Sequence, residues 1–327
     1  MTKVQLFSGI DVSKKTFDVS IENGQVQLKT HKMAYTEEGM ADYVAMLPQG
    51  VHCIMESTGT YHCRLAWYLH ERGIKVSVVN PLAVKRYAQA LMIRSKTDKS
   101  DSRLLVAYGK HFDVPLWEPK ASHYIELQQL LKFQDQLLKS ETIILNQLEA
   151  LTHSVVQNAT VSSTQKDRLK EVREDLKEIE KAMQVLVNEY EKENYNLLKA
   201  ISGIGKKTAI ALIALTSGMK NFESSKQVCS YFGLSPRIYE SGTSVKGKAK
   251  ICKMGMAQIR KLLYMCALSA KKCNKACHEL YDRLLNNGKK KKLALIAVAN
   301  KLLKQAFSIL KNKVKYEDNF YANKFGC

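Results

Sequence analysis

The chain has 327 residues, and its 45% hydrophobic content with only 5 prolines and 16 glycines excludes a mainly disordered or collagen-like protein. Lysine and arginine total 51 against 31 acidic residues, and residues 201–327 carry 25 of those cations but only 6 of the acids. This asymmetry favours nucleic acid as the partner of the C-terminal part, because each neutralised phosphate releases a counterion.

The other candidate partner for a basic segment is a membrane surface, which would need an amphipathic helix with an aromatic-rich apolar face. Apolar runs such as Leu293–Ala299 are far shorter than the roughly 20 residues of a membrane span, so we expect no membrane partner. The 8 cysteines have no paired spacing, and the opening MTKVQLFSGID lacks the apolar core of a signal peptide. We therefore expect a cytoplasmic protein with free thiols.

The first 120 residues have the pattern of an α/β domain. Strand-like runs at Val4–Asp11 and Thr16–Glu22 are separated by a hairpin spacing, and Asn23-Gly24 predicts a turn before a third strand near Val26–Leu28. Further along, two buried strands are predicted at Val51–Glu56 and Ile74–Val79. Three helices are predicted at Tyr61–Arg72, from Pro81 onward, and at Asp98–Lys110. The order βββαβαβα is that of a ribonuclease H-like fold.

Residues 121–196 predict two long antiparallel helices that form a coiled coil. An apolar seam with alternating steps of three and four follows Leu169, Val172, Leu176, Ile179, Met183, Leu186 and Tyr190. The partner helix is marked by Leu127, Leu130, Leu131, Leu137, Leu138, Ile144, Leu145, Leu148 and Leu151. The polar stretch Asn158–Thr164 is the predicted connection. Intramolecular packing and dimerisation both fit this pattern.

Residues 197–327 predict a helical domain. The stretch Leu198–Ala209 has the form of a helix-hairpin-helix, in which two glycines allow a tight turn whose N–H groups face a DNA phosphate. An ordinary turn between helices is the alternative, and the adjacent Lys206 and Lys207 favour the phosphate. An amphipathic lysine-rich helix, Lys289–Lys313, follows with a solvated basic face.

Four acidic residues stand where a ribonuclease H-like sheet would bring them together. Asp11 ends the first strand, Glu56 ends the fourth, and Asp98 and Asp101 lie three residues apart on one face of a helix. Like charges raise one another's pKa, so such a cluster needs a counter-charge, and hard divalent cations prefer oxygen ligands. We expect two Mg²⁺ ions about 4 Å apart, with Mn²⁺ as a substitute. Each acid taken alone could instead be a helix cap or a surface charge.

Three stretches, SGIDVSKKTFDVSI, MESTGTYH and KTDKSDSRLLVAYG, resemble the N-terminal domain of the DEDD transposases of bacterial insertion sequences. This is the insertion sequence one-ten family, related to the Piv and MooV invertases, whose catalytic domain is similar to the RuvC resolvase. The family's four acids fall on Asp11, Glu56, Asp98 and Asp101. Its C-terminal transposase domain is matched by Tyr231–Pro236, Glu240-Ser241-Gly242, Lys253–Gly255 and Arg260–Leu263.

The resemblance implies a RuvC-like catalytic domain at 1–120, a coiled-coil linker for oligomerisation at 121–196, and a C-terminal transposase domain at 197–327. It also implies that Ser241 is a nucleophile that holds cleaved DNA covalently, in a composite site built from different subunits. A noncoding bridge RNA would pair with double-stranded donor and target DNA. The oligomer would be a dimer, and a tetramer in the synaptic complex, associated with the bacterial nucleoid.

Without the family, Ser241 is one serine among several in a stretch that reads as a turn. Its candidacy depends on a surrounding set of cations that could neutralise a scissile phosphate. With the lysines of the glycine turn, this predicted nucleic-acid-binding set is Lys206, Lys207, Arg237, Lys246, Lys248, Lys250, Lys253 and Arg260.

The predicted function is therefore Mg²⁺-dependent cleavage and rejoining of DNA strands, guided by RNA. One alternative is a resolvase-like nuclease that uses water, and another is a non-catalytic nucleic-acid-binding protein whose acids are structural. A sugar-kinase fold shares the opening Gly9-Ile10-Asp11 but lacks a second glycine-rich phosphate loop. A zinc site at Cys273, Cys277 and His278 lacks the second ligand pair that standard spacing requires.

Overall fold

Two compact units, Met1–Pro119 and Lys120–Cys327, make up the chain in a computed structural model. The structure describes residues 5–22, 28–57, 59–93, 98–237, 240–241, 245–246 and 250–318. At positions 98, 99, 237, 240, 241, 245 and 246 the description covers the backbone and not the side chain.

The first unit is built on a five-stranded mixed sheet. Its strands are Phe7–Val12 (β1), Thr16–Ile21 (β2), Lys29–Ala34 (β3), His52–Glu56 (β4) and Lys75–Val79 (β5). They lie in the order β3-β2-β1-β4-β5, in which β1, β2 and β3 pair antiparallel while β1, β4 and β5 pair parallel. Its helices are Glu37–Met46 (α1), Tyr61–Glu71 (α2), Pro81–Ala90 (α3) and Asp98–His111 (α4).

The mixed α/β arrangement predicted for this region is confirmed, with one shift along the chain. The third antiparallel strand is Lys29–Ala34 and does not include Leu28, where the sequence placed its end. The predicted turn at Asn23-Gly24 lies outside the described residues.

Helices cover both faces of the sheet, because successive side chains of a strand point to opposite sides. On one face Ile10 and Met55 pack with Tyr43 of α1 and Leu65 of α2. On the other face Ile54 packs with residues of α3 and α4. Asp11, Asp18 and Glu56 lie on this second face.

Helix α4 crosses β1 closely, and glycine at position 9 permits this. A Cβ at Gly9 would overlap the carbonyl oxygen of Ser102 and lie 2.8 Å from the backbone nitrogen of Val106. At the other end, a Cβ at Gly109 would lie 2.8 Å from the Phe7 ring. Helix α4 therefore runs opposite to β1, and its N-terminal end lies toward the C-terminal ends of β1 and β4.

The second unit is mainly helical. Its helices are Ser122–Thr152 (α5), Ala159–Tyr190 (α6), Lys192–Lys199 (α7), Lys206–Thr216 (α8), Ser225–Tyr231 (α9), Ala257–Cys273 (α10), Lys275–Asn286 (α11) and Lys291–Asn312 (α12). Short strands between α9 and α10 are Pro236–Arg237 (β6), Glu240–Ser241 (β7), Val245–Lys246 (β8) and Lys250–Ile251 (β9).

Helices α5 and α6 pack side by side in opposite directions. Arg173 Nε donates to Glu141 Oε1 at 2.8 Å, and Gln134 Nε2 donates to Glu180 Oε1 at 3.3 Å. The predicted connection at Asn158–Thr164 is wrong, because α6 already begins at Ala159. The Asn158 side chain accepts from the backbone N–H of Val161 at 3.2 Å, which caps the helix and starts it early.

The predicted seam of α6 is buried to different extents. Leu176 and Met183 are buried, whereas Tyr190 at its C-terminal end is 53% exposed. Val187, which the sequence pattern did not select, is fully buried in the core that α5 and α6 share with the C-terminal helices.

Helix α12 is amphipathic, as predicted, and its apolar face lies in the core of the second unit. Its buried residues are Ala294, Leu295, Val298, Ala299, Leu302, Leu303, Ala306, Ile309 and Leu310. Among the described residues it is the one helix long and apolar enough to cross a membrane, but half of its most apolar window is buried in the protein. Burial of this kind is typical of a core helix.

The close crossing of α4 over β1 predicts the effect of a single methyl group. We expect Gly9→Ala to lower the free energy of unfolding by about 1–3 kcal/mol, because the added Cβ meets backbone atoms that cannot rotate away. Chemical denaturation measures this change. Gly205→Ala, where a Cβ has nothing within 4 Å, is the control and costs no more than about 1 kcal/mol. A Gly9→Ala protein of wild-type stability would contradict the crossing.

Candidate active site and nucleic-acid surface

A row of acidic residues crosses three neighbouring strands of the first unit. Asp11 on β1 and Asp18 on β2 are direct cross-strand partners. The parallel pairing of β1 with β4 ends at Ile10 and Met55, so its continuation by one residue places Glu56 beside Asp11. We call Asp18, Asp11 and Glu56 the carboxylate row.

The carboxylate row lies on the face of the sheet that α4 covers. Gly9 and Ser20 are cross-strand partners two residues away from Asp11 and Asp18, so both pairs point to the same side. Gly9 meets Ser102 of α4, and Ser20 Oγ lies 2.8 Å from Ser102 Oγ. Asp11 and Asp18 therefore face α4.

Glu56 is placed on this face by the same alternation. Ile54, two residues earlier on β4, packs against α4, and its Cγ1 would lie 2.9 Å from a Cβ at Gly109. Asp98 is the first residue of α4, and Asp101 directly precedes Ser102, the helix residue that contacts β1. The acidic first turn of α4 thus lies toward the strand ends that carry Asp11 and Glu56.

The chemistry of these donors fits a hard divalent cation. Like charges that stand directly opposite on neighbouring strands are destabilising, and carboxylate oxygens are the ligands that Mg²⁺ prefers. Among the side chains that the structure describes, no group of three or more His, Cys, Asp or Glu converges closely enough to hold an ion. The side chain of Asp98 is outside that set, so the predicted group of four is described only in part.

Asp18 is the residue of this site that sequence reasoning missed. It is 7% exposed and forms an ion pair with Lys32 of β3, whose Nζ lies 3.9 Å from Asp18 Oδ2. In the sequence it appears as a polar residue inside a strand-like run, and only the antiparallel register places it opposite Asp11. A carboxylate in a stretch of buried residues was the one available signal.

In the second unit, Ser241 lies on β7, one of the four short strands β6–β9 that are here together called the serine hairpin. At its base β6 pairs antiparallel with β9, and β7 pairs antiparallel with β8, with Ser241 opposite Val245. The Ser241 side chain and the neighbouring Gly242 and Ser244 lie outside the described residues.

The base of the serine hairpin is held by close backbone packing. A Cβ at Gly233 would lie 2.6 Å from the Met254 carbonyl oxygen, and the Lys253 N–H donates to the Gly233 carbonyl at 3.1 Å. Lys253 itself has a φ of 57°, a left-handed conformation that is uncommon for a side chain with a Cβ. Arg260 Nη1 of α10 donates to the Phe232 carbonyl at 3.0 Å.

The predicted nucleic-acid-binding cations are therefore not equivalent. Lys206, Lys250 and Lys253 are exposed, whereas Lys207 forms an ion pair with Glu180 of α6 and Arg260 is bonded to the backbone. Lys248 lies outside the described residues, as do the side chains of Arg237 and Lys246.

The glycine turn between α7 and α8 has one glycine that packing requires and one that it does not. Gly203 has a φ of 102°, and a Cβ there would lie 2.6 Å from Ala270 Cβ of α10. Gly205 precedes α8, and a Cβ there would have nothing within 4 Å. The backbone around Gly205 is thus open for an anion to approach, while Gly203 serves the contact between helices.

The cysteines of the second unit give no support to a zinc site. Burial raises the pKa of the Cys277 thiol to about 12, so this thiol is protonated at neutral pH, and Cys273 is exposed nearby. His278 lies 3.1 Å from Asp282 one turn later in α11 and bonds the Lys271 carbonyl.

Comparison with known families matches both units. Residues 8–157 match a DEDD family described as "Transposase", and residues 195–282 match one described as "Transposase IS116/IS110/IS902 family". The pilin gene-inverting proteins of Moraxella lacunata and Moraxella bovis are each 31% identical over 329 residues, covering 96% of this chain and 98% of the relative. The transposase for insertion sequence element IS1111A of Coxiella burnetii is 24% identical over 78% of this chain and 75% of its own length.

These matches, together with the acidic edge of the sheet, define an enzyme of the DEDD transposase class, which catalyses DNA strand transfer. Enzymes of this class depend in general on a divalent metal. The chain belongs to the IS110 family of transposases.

The Arg260 contact predicts a structural role for that side chain. We expect Arg260→Ala to lower the free energy of unfolding of the second unit by about 1.5–3 kcal/mol, because a charge-assisted hydrogen bond to the Phe232 carbonyl is lost. Lys261→Ala, an exposed neighbour on the same helix, stays within about 0.5 kcal/mol of the wild type. Thermal denaturation compares the two, and equal stability of both variants would show that the contact contributes nothing.

Proposed function

We propose that this transposase is a metal-dependent DNA recombinase in which a carboxylate site and Ser241 act together under the guidance of a bridge RNA. The observation that carries the proposal is that Asp11 and Glu56 lie on adjoining strand ends, toward which the acidic first turn of α4 also lies. The order of strands and helices and the mixed sheet support a ribonuclease H-like, RuvC-like fold for the first unit.

Asp11, Glu56, Asp98 and Asp101 would hold two Mg²⁺ ions, for which Mn²⁺ could substitute. When bound, such ions lower the pKa of a coordinated hydroxyl and stabilise the charge that develops on a phosphodiester. The role of the protein is to fix the acids at the ends of β1, β4 and α4. Gly9 lets α4 approach β1 closely. The distance between the acids on α4 and Asp11 on β1 therefore depends on that crossing.

Ser241 is the proposed nucleophile for DNA cleavage. Its Oγ bonds to the scissile phosphorus, the bond from phosphorus to the departing DNA oxygen breaks, and that oxygen leaves as a hydroxyl with the proton that the serine gives up. In rejoining, a DNA hydroxyl displaces Ser241 from phosphorus. The number of phosphate ester bonds is unchanged throughout, so strand exchange needs no ATP. A hydroxyl needs activation for this attack, and the carboxylate domain of another subunit would supply it through the metal that its acids would hold.

The exposed cations of the second unit bind the nucleic-acid backbones. Lys206, Lys250 and Lys253 are exposed for phosphate contacts, and Lys246, Lys248 and Arg237 lie along the serine hairpin by sequence. Lys207 is also exposed but forms an ion pair with Glu180, and Arg260 donates to the Phe232 carbonyl, so both have a partner within the protein as well. The partners are double-stranded donor and target DNA and a noncoding bridge RNA, acting in the cytoplasm with a dimer or, in the synaptic complex, a tetramer of this chain.

A plasmid with two recombination sites tests the reaction as a whole. With purified protein, Mg²⁺ and RNA transcribed from the flanking noncoding DNA, we expect excision and joining. Asp11→Asn and Asp101→Asn each lower the yield at least about 100-fold, because outer-shell partners of a metal alone are worth 10–100-fold. Recombination without the RNA would refute guidance. Normal recombination by both aspartate variants would show that these acids are structural, and binding of DNA without any recombination by the wild type would favour the non-catalytic alternative.

A suicide DNA substrate tests the serine. We expect a covalent protein–DNA adduct that is lost in Ser241→Ala and retained in Ser235→Ala, which changes a serine next to the base of the same hairpin. Denaturing gel electrophoresis with labelled DNA detects the adduct. Cleavage without any adduct in the wild type would favour the hydrolytic nuclease instead.

A further inference from the structure

Asp18 belongs to the carboxylate row but is not one of the four acids, Asp11, Glu56, Asp98 and Asp101, that are proposed to hold the metal. We propose that Asp18 is a positioning residue that keeps the Lys32 ammonium away from Asp11 and so preserves the affinity of the site for a divalent cation. This inference rests on the metal site proposed above and adds a residue pair to it.

The sheet register places four charged residues in one line. Lys32 on β3 is the cross-strand partner of Asp18 on β2, and Asp18 is the partner of Asp11 on β1. Glu56 on β4 follows by the continued parallel register. The line therefore reads, from the edge inward, one positive charge followed by three negative charges.

Because Asp18 is buried, its charge acts strongly on neighbouring groups. The Asp18 side chain is 9% exposed, and that of Lys32 is 60% exposed, with 3.9 Å between Nζ and Oδ2. A buried carboxylate is poorly solvated, so its field acts on its neighbours with little screening. The Lys32 side chain is long and exposed enough to move, and Asp18 stands between it and Asp11.

Removal of the Asp18 charge would leave Lys32 facing Asp11. A lysine that neutralises Asp11 competes with a metal ion for the same oxygens, although Asp18 itself ligates nothing. This mechanism differs from that of a fifth metal ligand, because here the loss depends on the presence of Lys32. It also differs from a purely structural role, because the affinity for metal changes while the fold is retained.

Glu22, the residue directly after β2, provides a matched control. It lies about 13 Å from Asp18 at 3.3 Å per residue, a distance at which the interaction of two charges is much weaker than across one strand pair. Its carboxylate forms an ion pair with Lys110 and accepts from the Phe7 N–H at 3.0 Å. A change of charge there leaves the surroundings of Asp11 untouched.

Binding of Mn²⁺ to the full-length protein, measured by electron paramagnetic resonance of the free ion, tests the proposal without recombination. We expect Asp18→Asn to bind Mn²⁺ 10–100-fold more weakly, the range for residues outside the ligand set. The double variant Asp18→Asn/Lys32→Met returns to within about threefold of the wild type, since both charges are gone together. Glu22→Gln binds as the wild type does.

Three results would overturn the proposal. Wild-type binding by Asp18→Asn would show that the pair has no influence, and a double variant as weak as Asp18→Asn would show that Asp18 acts without Lys32. Lys32→Met alone leaves the buried acid in place and should bind Mn²⁺ at least as tightly as the wild type; weaker binding would also exclude the mechanism. If Asp11→Asn binds Mn²⁺ normally, the metal site itself fails, which separates that outcome from failure of the Asp18 proposal.

Discussion

Repulsion among neighbouring carboxylates is the constraint on which the first unit depends. Asp18, Asp11 and Glu56 lie on three adjacent strands and point to one side of the sheet, where charges of the same sign destabilise the fold. Lys32 compensates for one of them at the sheet edge. The other two acids of the row, at the ends of β1 and β4, are the ones proposed to bind a divalent cation.

In the second unit, the described contacts hold together the residues that flank the serine hairpin. Each described strand pairing in the serine hairpin is only two residues long, and such short pairings contribute little stability by themselves. Its base is fixed instead by the contacts of Gly233 with Met254 and of Arg260 with Phe232.

Much of this fold was predictable because its signals are local. Short strand-like runs marked β1, β4 and β5, and the strand ends then located Asp11 and Glu56. The features that the sequence did not predict depend on strand pairing or on helix capping. Asp18 becomes part of the site only through its register with β1, and the polar stretch after Asn158 looked like a linker although the Asn158 cap makes it the first turns of α6.

Anomalous diffraction from crystals grown with Mn²⁺ tests the central claim most directly. The account predicts a peak at the C-terminal ends of β1 and β4, within coordination distance of Asp11 and Glu56 and beneath the first turn of α4. The same crystals of an Asp11→Asn variant should lose that peak while keeping the sheet intact. No peak at millimolar Mn²⁺, or a peak bound only elsewhere on the protein, would contradict the account.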